Sequence, residues 1–389
     1  MNSSLLNNPF TFFVPTQIRF GTGKLNELKI IAPTLGKSVL LVTRPRKGSL
    51  KSIYEVVEKL LEEVGISYTY FDKVIPNPTQ EGVEKGIAKA VENQVDFVIG
   101  IGGGSVLDTA KLIAFLTTPS GAVDWEAAIS KYSNPFAVGP SPDSALPFIA
   151  VSTTSGTGSH CTQAAVVSDT VKQEKTTLFH SGLFPSIAIV DPELMCSVPP
   201  AVTAATGFDT FTHAFESFLG GGRTSPLTEV MSLEAIRLIF ENLPAAMKDP
   251  HNIILRTRLA WADTLAGMCL ANGGADLPHP LGEIIGGICP RIAHGETLAM
   301  IYPDFLKFKE PLSRDSFKKI TTYLSLPDQE GVFSQKVLAL LAVTELDQSS
   351  KRAALSEEEI NQILSHPLLD QLIPTNKSRI HQMMKASLH

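Results

Sequence analysis

Asp96-Phe97-Val98-Ile99-Gly100-Ile101-Gly102-Gly103-Gly104-Ser105, continued by the apolar run from Val106 to Leu116, is the stretch on which the fold turns. Asp96–Ile101 reads as a strand buried on both faces, and Val106–Leu116 reads as a helix. Between them lie three consecutive glycines and a serine. Such a turn exposes backbone N–H groups beside the positive end of a helix dipole, which suits a phosphate. The other reading is a tight turn that needs glycine for positive φ. The spacing is not GxGxxG, so the ordinary dinucleotide fingerprint does not apply.

Working outward, Ser38–Thr43 is a short β-branched strand, residues 49–64 have helical apolar spacing closed by Gly65, and Ser67–Phe71 is a second strand. Pro76-Asn77-Pro78-Thr79 is a rigid turn before a helix over residues 80–93. Strands and helices alternating at this rhythm predict a doubly wound parallel α/β sheet. Residues 10–20 predict a strand or edge hairpin, with Pro15 confining it to an edge. Residues 117–146, with Pro119, Gly121, Pro135, Gly139, Pro140 and Pro142, predict a long loop. Phe148–Val151 is a strand that runs into Ser152-Thr153-Thr154-Ser155-Gly156-Thr157-Gly158-Ser159, where small side chains let a ligand approach the backbone. Ile187–Val190 is a further strand. After Val198-Pro199-Pro200 the strand rhythm stops, and residues 201–219, 226–242, 251–271, 297–308, 313–323, 333–343 and 356–364 all read as helices. The expected organisation is an α/β domain over 1–198 and an all-helical domain over 199–389.

Composition agrees. A chain of 389 residues with 43% hydrophobic and 19% charged residues can bury a sizeable core. A net charge of −6 and an isoelectric point near 5.9 argue against nucleic acid or an acidic membrane as the main partner. Four scattered cysteines without a CxxC pair exclude a cysteine zinc site and fit a reducing compartment. Residues 1–13 lack a basic start with an apolar signal core, and no run of eighteen apolar residues occurs, so a cytoplasmic enzyme is expected.

The helical half contains Gly207-Phe208-Asp209-Thr210-Phe211-Thr212-His213-Ala214-Phe215-Glu216-Ser217. A spacing of four residues puts Asp209 and His213 on one helical face. Inside an apolar helix the pair needs a partner, either its own hydrogen bond or a divalent metal. His279, after Gly273-Gly274, and His294, in Ala293-His294-Gly295-Glu296, would complete a set of one carboxylate and three imidazoles suited to iron(II) or zinc. With nine histidines in the chain, any one of them taken alone reads more readily as a core residue.

Read together, Gly102–Lys111, Ser152–Ser159, Ile189–Leu194, Gly207–Ser217, Leu265–Gly282 and His294-Gly295 resemble, in the same order, the motifs of the iron-containing (group III) alcohol dehydrogenase family, over about residues 10–305. The resemblance implies a dehydroquinate synthase-like fold, with an α/β dinucleotide domain followed by a helical metal-binding domain. It implies Asp209, His213, His279 and His294 as ligands of Fe2+ or Zn2+, and Gly103, Gly104 and Ser105 as the pyrophosphate loop. Asp108, Thr153, Thr154, Thr157, Ser159 and Lys175 match positions around the phosphates, ribose and nicotinamide, and Asn77 matches one near the ribose. The implied activity is hydride transfer between NAD or NADP and a small primary alcohol or aldehyde, with Asp108 and Glu283 as catalytic candidates and a homodimer paired through an N-terminal edge strand. A metal-independent reductase of the maleylacetate-reductase type and a non-catalytic nucleotide binder remain alternatives on the same scaffold.

Three departures stand out. Glu283 occupies the place of a histidine that many members carry four residues after the third ligand. The connection from His279 to His294 is one residue longer than usual, which predicts a reshaped loop over Glu283–Ala293. His160 replaces the family's acid and is expected at the surface or behind the ligands. The first strand is followed by Thr43-Arg44-Pro45-Arg46-Lys47, without the aspartate that favours NAD, so Arg44 and its neighbours point to the 2′-phosphate of NADP. Phe148, Phe208, Phe215, Trp261 and Glu283 are candidate cleft residues, and Cys161 reads as a small core residue.

Overall fold

The computed structural model describes residues 9–118, 120–136, 139–220, 223–372 and 377–388; the opening residues 1–8 and Pro119 of the predicted loop lie outside the described residues. The first half carries β1 (Gln17–Phe20), α1 (Leu28–Ile31), β2 (Ser38–Val42), α2 (Lys51–Glu62), β3 (Ser67–Phe71), α3 (Gln80–Glu92), β4 (Phe97–Gly102), α4 (Gly104–Leu116), α5 (Trp125–Lys131), β5 (Phe148–Ser152), β6 (Ala164–Asp169), β7 (Glu174–Phe179) and β8 (Ile187–Val190). Six strands form a parallel sheet in the order β1-β8-β5-β4-β2-β3.

Side-chain alternation explains why the sheet is covered on both sides. Leu40, Val42, Val98 and Ala150 enter one apolar cluster with α3 and α4, while Val39, Leu41, Ile99 and Val151 enter another with α1 and α2. Residues 10–20 contribute only Gln17–Phe20 as a strand, at the sheet edge and parallel to β8, so there is no hairpin there. The predicted loop over 117–146 contains α5, started by Asp124, whose side chain accepts from the Ala127 N–H. The antiparallel hairpin β6–β7 was not expected from the sequence, because its residues are mostly half-exposed and mixed in polarity.

From Pro200 onward the chain is helical: α6 (Pro200–Leu219), α7 (Pro226–Lys248), α8 (Ile253–Gly273), α9 (Pro278–Ile288), α10 (His294–Lys309), α11 (Arg314–Tyr323), α12 (Val332–Val343), α13 (Ser349–Ala353), α14 (Glu357–Leu364), α15 (Pro367–Leu372) and α16 (Lys377–Ser387). One apolar core runs through them, with Phe208, Phe211, Phe215, Tyr302 and Phe333 packed ring against ring. The predicted loop from Glu283 to Ala293 is instead helical as far as Ile288, so His279 and Glu283 sit one turn apart on α9. No helix among the described residues is long and apolar enough to cross a membrane.

The two halves meet at the Ser152–Ser159 loop. A Cβ on Gly156 would lie 2.4 Å from Thr206 Cβ on α6, and one on Gly158 would lie 2.5 Å from Gly267 Cα on α8. Gly158 also has φ +59°, so both close approach and backbone conformation demand glycine there. Asp263 of α8 holds the contact by accepting from the Gly158 N–H at 2.8 Å.

Candidate metal and nucleotide site

The aromatic face of α6 is buried in the helical core, which forces Asp209 and His213 inward on the opposite side. α9 and α10 each present a histidine in their first turn to the same point. His213 Nε2, His279 Nε2 and His294 Nε2 lie 3.6, 3.7 and 3.8 Å from Asp209 Oδ1. These spacings are too long for hydrogen bonds. They are close to the roughly 3.4 Å separating donor atoms that each stand about 2.1 Å from a tetrahedral ion. Asp209 Oδ1 and His279 Nε2 are buried with no hydrogen-bond partner, a costly arrangement unless a cation receives their lone pairs. Asp209, His279 and His294 offer donor atoms all within 4.8 Å of one another, and His213 joins them through its contact with Asp209. The residues fit a divalent metal.

The surroundings fix which nitrogen faces inward. His213 Nδ1 is 3.2 Å from the Gly156 carbonyl, and His279 Nδ1 is 2.7 Å from Glu216 Oε2, so each ring can donate outward and keep Nε2 free. Burial pushes the His213 and His294 rings down, to about 4 and about 3, which keeps them neutral. Burial alone would also lower His279 and raise Asp209, but the neighbouring charges win: Glu216 and Asp209 hold His279 up at about 10, and the imidazoles hold Asp209 down at about 2. Without a metal, Asp209 and Glu216 favour a proton on His279, and a divalent cation at Nε2 displaces that proton.

Glu216 was missed in the sequence. It is fully buried, and besides His279 it accepts from the Asp276 N–H at 2.8 Å and from the Tyr302 hydroxyl at 3.2 Å. The signal was present, since a second acid three residues after His213 in an apolar helix also needs a partner; that partner lies 63 residues away. Glu216→Gln is expected to weaken metal affinity about 10- to 100-fold, because the amide no longer fixes the His279 ring by charge. Competition with a chelator measures this, and an unchanged affinity would remove Glu216 from the metal's support.

A cavity of about 940 Å³ opens from this point and reaches Gly104, Ser105, Asp108, Thr157, Ser159 and Lys175. None of Gly102, Gly103 and Gly104 has positive φ, so the tight-turn reading fails. Close approach is what requires them: a Cβ on Gly103 would stand 2.8 Å from Thr154 Oγ1, and one on Gly104 would stand 2.5 Å from Thr157 Cγ2. The strand ends at Gly102, Gly103 caps α4, which begins at Gly104, and the Thr153 N–H bonds the Gly102 carbonyl at 3.0 Å, so glycine loop and hydroxyl loop form one cradle at a helix N-terminus. Asp108 accepts from Ser159 Oγ at 2.6 Å and from the Val166 N–H at 3.1 Å, and burial pushes its carboxyl up against these bonds and the Lys111 charge.

Glu283 lines the cavity and accepts from Thr177 Oγ1 at 2.9 Å. Asn77 lines it with φ +56° and donates to the Pro290 carbonyl at 3.2 Å. Of the remaining cleft candidates, none reaches the cavity. Phe148 is buried against α4, Phe208 and Phe215 belong to the helical core, and Trp261 is half-exposed against Phe20. His160 is not at the surface: it is buried, with Nε2 3.0 Å from Thr264 Oγ1 and Nδ1 3.8 Å from Asp263 Oδ2, and burial holds its pKa near 3. It sits behind the loop, in the company of Lys111 and Cys161. Arg44, Arg46 and Lys47 are exposed beyond β2, but Arg46 is engaged by Glu58 and stacks on Tyr70.

Comparison with known proteins agrees with this geometry. Residues 15–192 match the model for iron-containing alcohol dehydrogenase, and residues 203–387 match the C-terminal model of the same family, so the likeness runs well past residue 305. The chain is 31% identical over 370 residues to alcohol dehydrogenase 4 of Saccharomyces cerevisiae, covering 94% of each. It is also 31% identical to an NAD-dependent methanol dehydrogenase of Bacillus methanolicus, over 80% of this chain and 79% of that one. In structure it superposes on an archaeal halo-thermophilic Red Sea brine pool alcohol dehydrogenase with a TM-score of 0.87 and 26% identity, over 98% of this chain and 99% of the other. Four inward-facing donor side chains beside a glycine-rich cradle at a helix N-terminus, on this sequence and this fold, make the chain a member of the iron-containing alcohol dehydrogenase family and an alcohol oxidoreductase.

Proposed function

We propose that the protein transfers a hydride reversibly between NAD or NADP and a small primary alcohol or aldehyde. The observation that carries this is the convergence of three imidazole Nε2 atoms on Asp209 Oδ1, in a cavity also lined by Gly104 and Ser105 at the start of α4. A bound Fe2+, or Zn2+ in its place, supplies Lewis-acid polarisation of the substrate oxygen. Asp209, His213, His279 and His294 hold the ion, and Glu216 and the Gly156 carbonyl orient two of the rings. Gly103, Gly104, Ser105, Thr153, Thr154 and Thr157 receive the cofactor's phosphates. Asp108 positions Ser159 and β6 around it, and Lys175 and Asn77 line the same cavity. Glu283 accepts the alcohol's proton, directly or through water, and passes it outward past Thr177. A metal-independent reductase or a plain nucleotide binder would leave the orphaned donor atoms without a use.

The test is metal analysis together with NADH and NADPH oxidation, by enzyme loaded with iron(II) or zinc, against a panel of short aldehydes. Absence of turnover with either metal and either cofactor would defeat the proposal. Arg44 and Lys47 favour the 2′-phosphate, although Arg46 is already engaged. NADPH is therefore expected to exceed NADH in kcat/KM, and Arg44→Gln is expected to lower the NADPH value about 5- to 10-fold more than the NADH value. A strong NADH preference in the unmodified enzyme would refute this part. The same reading takes 1–198 and 199–389 as the two functional domains, places the enzyme in the cytoplasm, and uses the β1 edge to pair a homodimer.

A further inference from the structure

The cavity extends beyond what hydride transfer from a simple alcohol requires. α6 carries His213 at the metal point and ends at Leu219, just before Gly220. From there the wall continues through Arg223, Phe136, Leu270, Gly273 and Gly274. Seven residues of helix separate His213 from Gly220, so this arm lies about 10 Å from the metal point. Gly274, with φ +79°, faces Phe136, which a Cβ there would meet at 3.4 Å, while Gly220 lets the end of α6 pack against the Gly273 carbonyl oxygen, which a Cβ would approach to 2.9 Å.

The arm's cation is Arg223; the cavity's other Lys or Arg is Lys175, on β7 beside α9, where its charge acts on Asp108 and His294. The Arg223 guanidinium lies 3.3 Å over the Phe136 ring centre. Stacking on its face orients the group and leaves its in-plane N–H edge to bind. Among the described residues no carboxylate forms an ion pair with it. A planar fork of donors held on an aromatic ring at one end of an alcohol site matches a carboxylate or similar oxyanion.

Resting on the alcohol oxidoreductase reading, we propose that Arg223 selects substrates with an anionic group at the end remote from the carbinol, such as short ω-hydroxy or ω-oxo acids. The hydride and proton steps are those of the parent reaction, and Arg223 only places the tail. The experiment compares kcat/KM of the metal-loaded enzyme for a four-carbon ω-oxo carboxylate and for butanal, across ionic strength, in the unmodified protein, Arg223→Gln and Arg223→Lys.

The expected result is a preference for the oxo acid that weakens with salt. Arg223→Gln should lose about 10- to 100-fold more with the oxo acid than with butanal, chiefly in KM, with Arg223→Lys in between. Equal kcat/KM for the two aldehydes, or an equal loss for both in Arg223→Gln, would overturn the anion site while leaving the dehydrogenase intact. Turnover of neither compound would overturn the dehydrogenase reading and this one with it.

Discussion

His279→Ala is expected to abolish metal retention and reduce activity by about three orders of magnitude or more, while the protein stays folded. The size follows from the several kcal/mol that Lewis-acid stabilisation of a developing alkoxide is worth, at about 1.4 kcal/mol per tenfold in rate. The fold survives because Glu216, which loses its ring partner, keeps its bonds from the Asp276 N–H and the Tyr302 hydroxyl. A cavity and one weakened buried acceptor cost about 1–3 kcal/mol. Metal content, circular dichroism and aldehyde reduction on the same preparation measure all three. Full metal occupancy in His279→Ala would contradict the ligand assignment, and so would full occupancy in His213→Ala.

Gly295→Ala is expected to disrupt the site without touching a ligand. Its Cβ would lie 2.0 Å from the Ala205 carbonyl oxygen and 2.6 Å from the carbonyl carbon, so the obstacle is backbone of α6 and not a side chain that can turn away. Overpacking of this kind costs about 1–3 kcal/mol and more where backbone must move. The movement falls on both sides of the metal point, because His294 precedes Gly295 at the start of α10 and Asp209 lies one turn after Ala205 on α6. Metal affinity should drop more than about tenfold and the melting temperature by several degrees. Gly286→Ala is the matched comparison: its nearest neighbour would be Lys175 Nζ at 3.8 Å, an ordinary contact. Wild-type affinity and melting temperature in Gly295→Ala would show that α6 and α10 separate freely there.

Much of the architecture was legible in the chain because burial leaves a local trace. Strands covered on both faces read as continuous apolar runs, and Ser38–Val42, Phe97–Gly102 and Phe148–Ser152 all sit in the sheet as expected. Elements without that trace were missed. β6 and β7 are mixed in polarity, and α9, broken up by Gly282, Gly286 and Gly287, resembles a loop in composition although it is a helix. Gly287 is required there because a Cβ would come within 2.9 Å of the Gln173 carbonyl oxygen in the β6–β7 turn. For His160, beside hydroxyl and glycine residues, the sequence left open the surface or a place behind the ligands, and the packing of its loop on α8 buries it.

The sequence by itself determined the split into an α/β half and a helical half, and it placed Asp209 and His213 on one face of one helix. Those properties depend on spacings within a turn or two of backbone. Only the tertiary structure decided that His279 and His294, from two other helices, meet that pair with Nε2 inward. It also decided that Glu216 and the Gly156 carbonyl support two of the rings from behind. The reason is physical: a helix's periodicity states which side chains turn inward, but the point at which inward side chains of distant segments converge is set by how the helices pack. Here that packing rests on close backbone contacts at Gly156, Gly158 and Gly295.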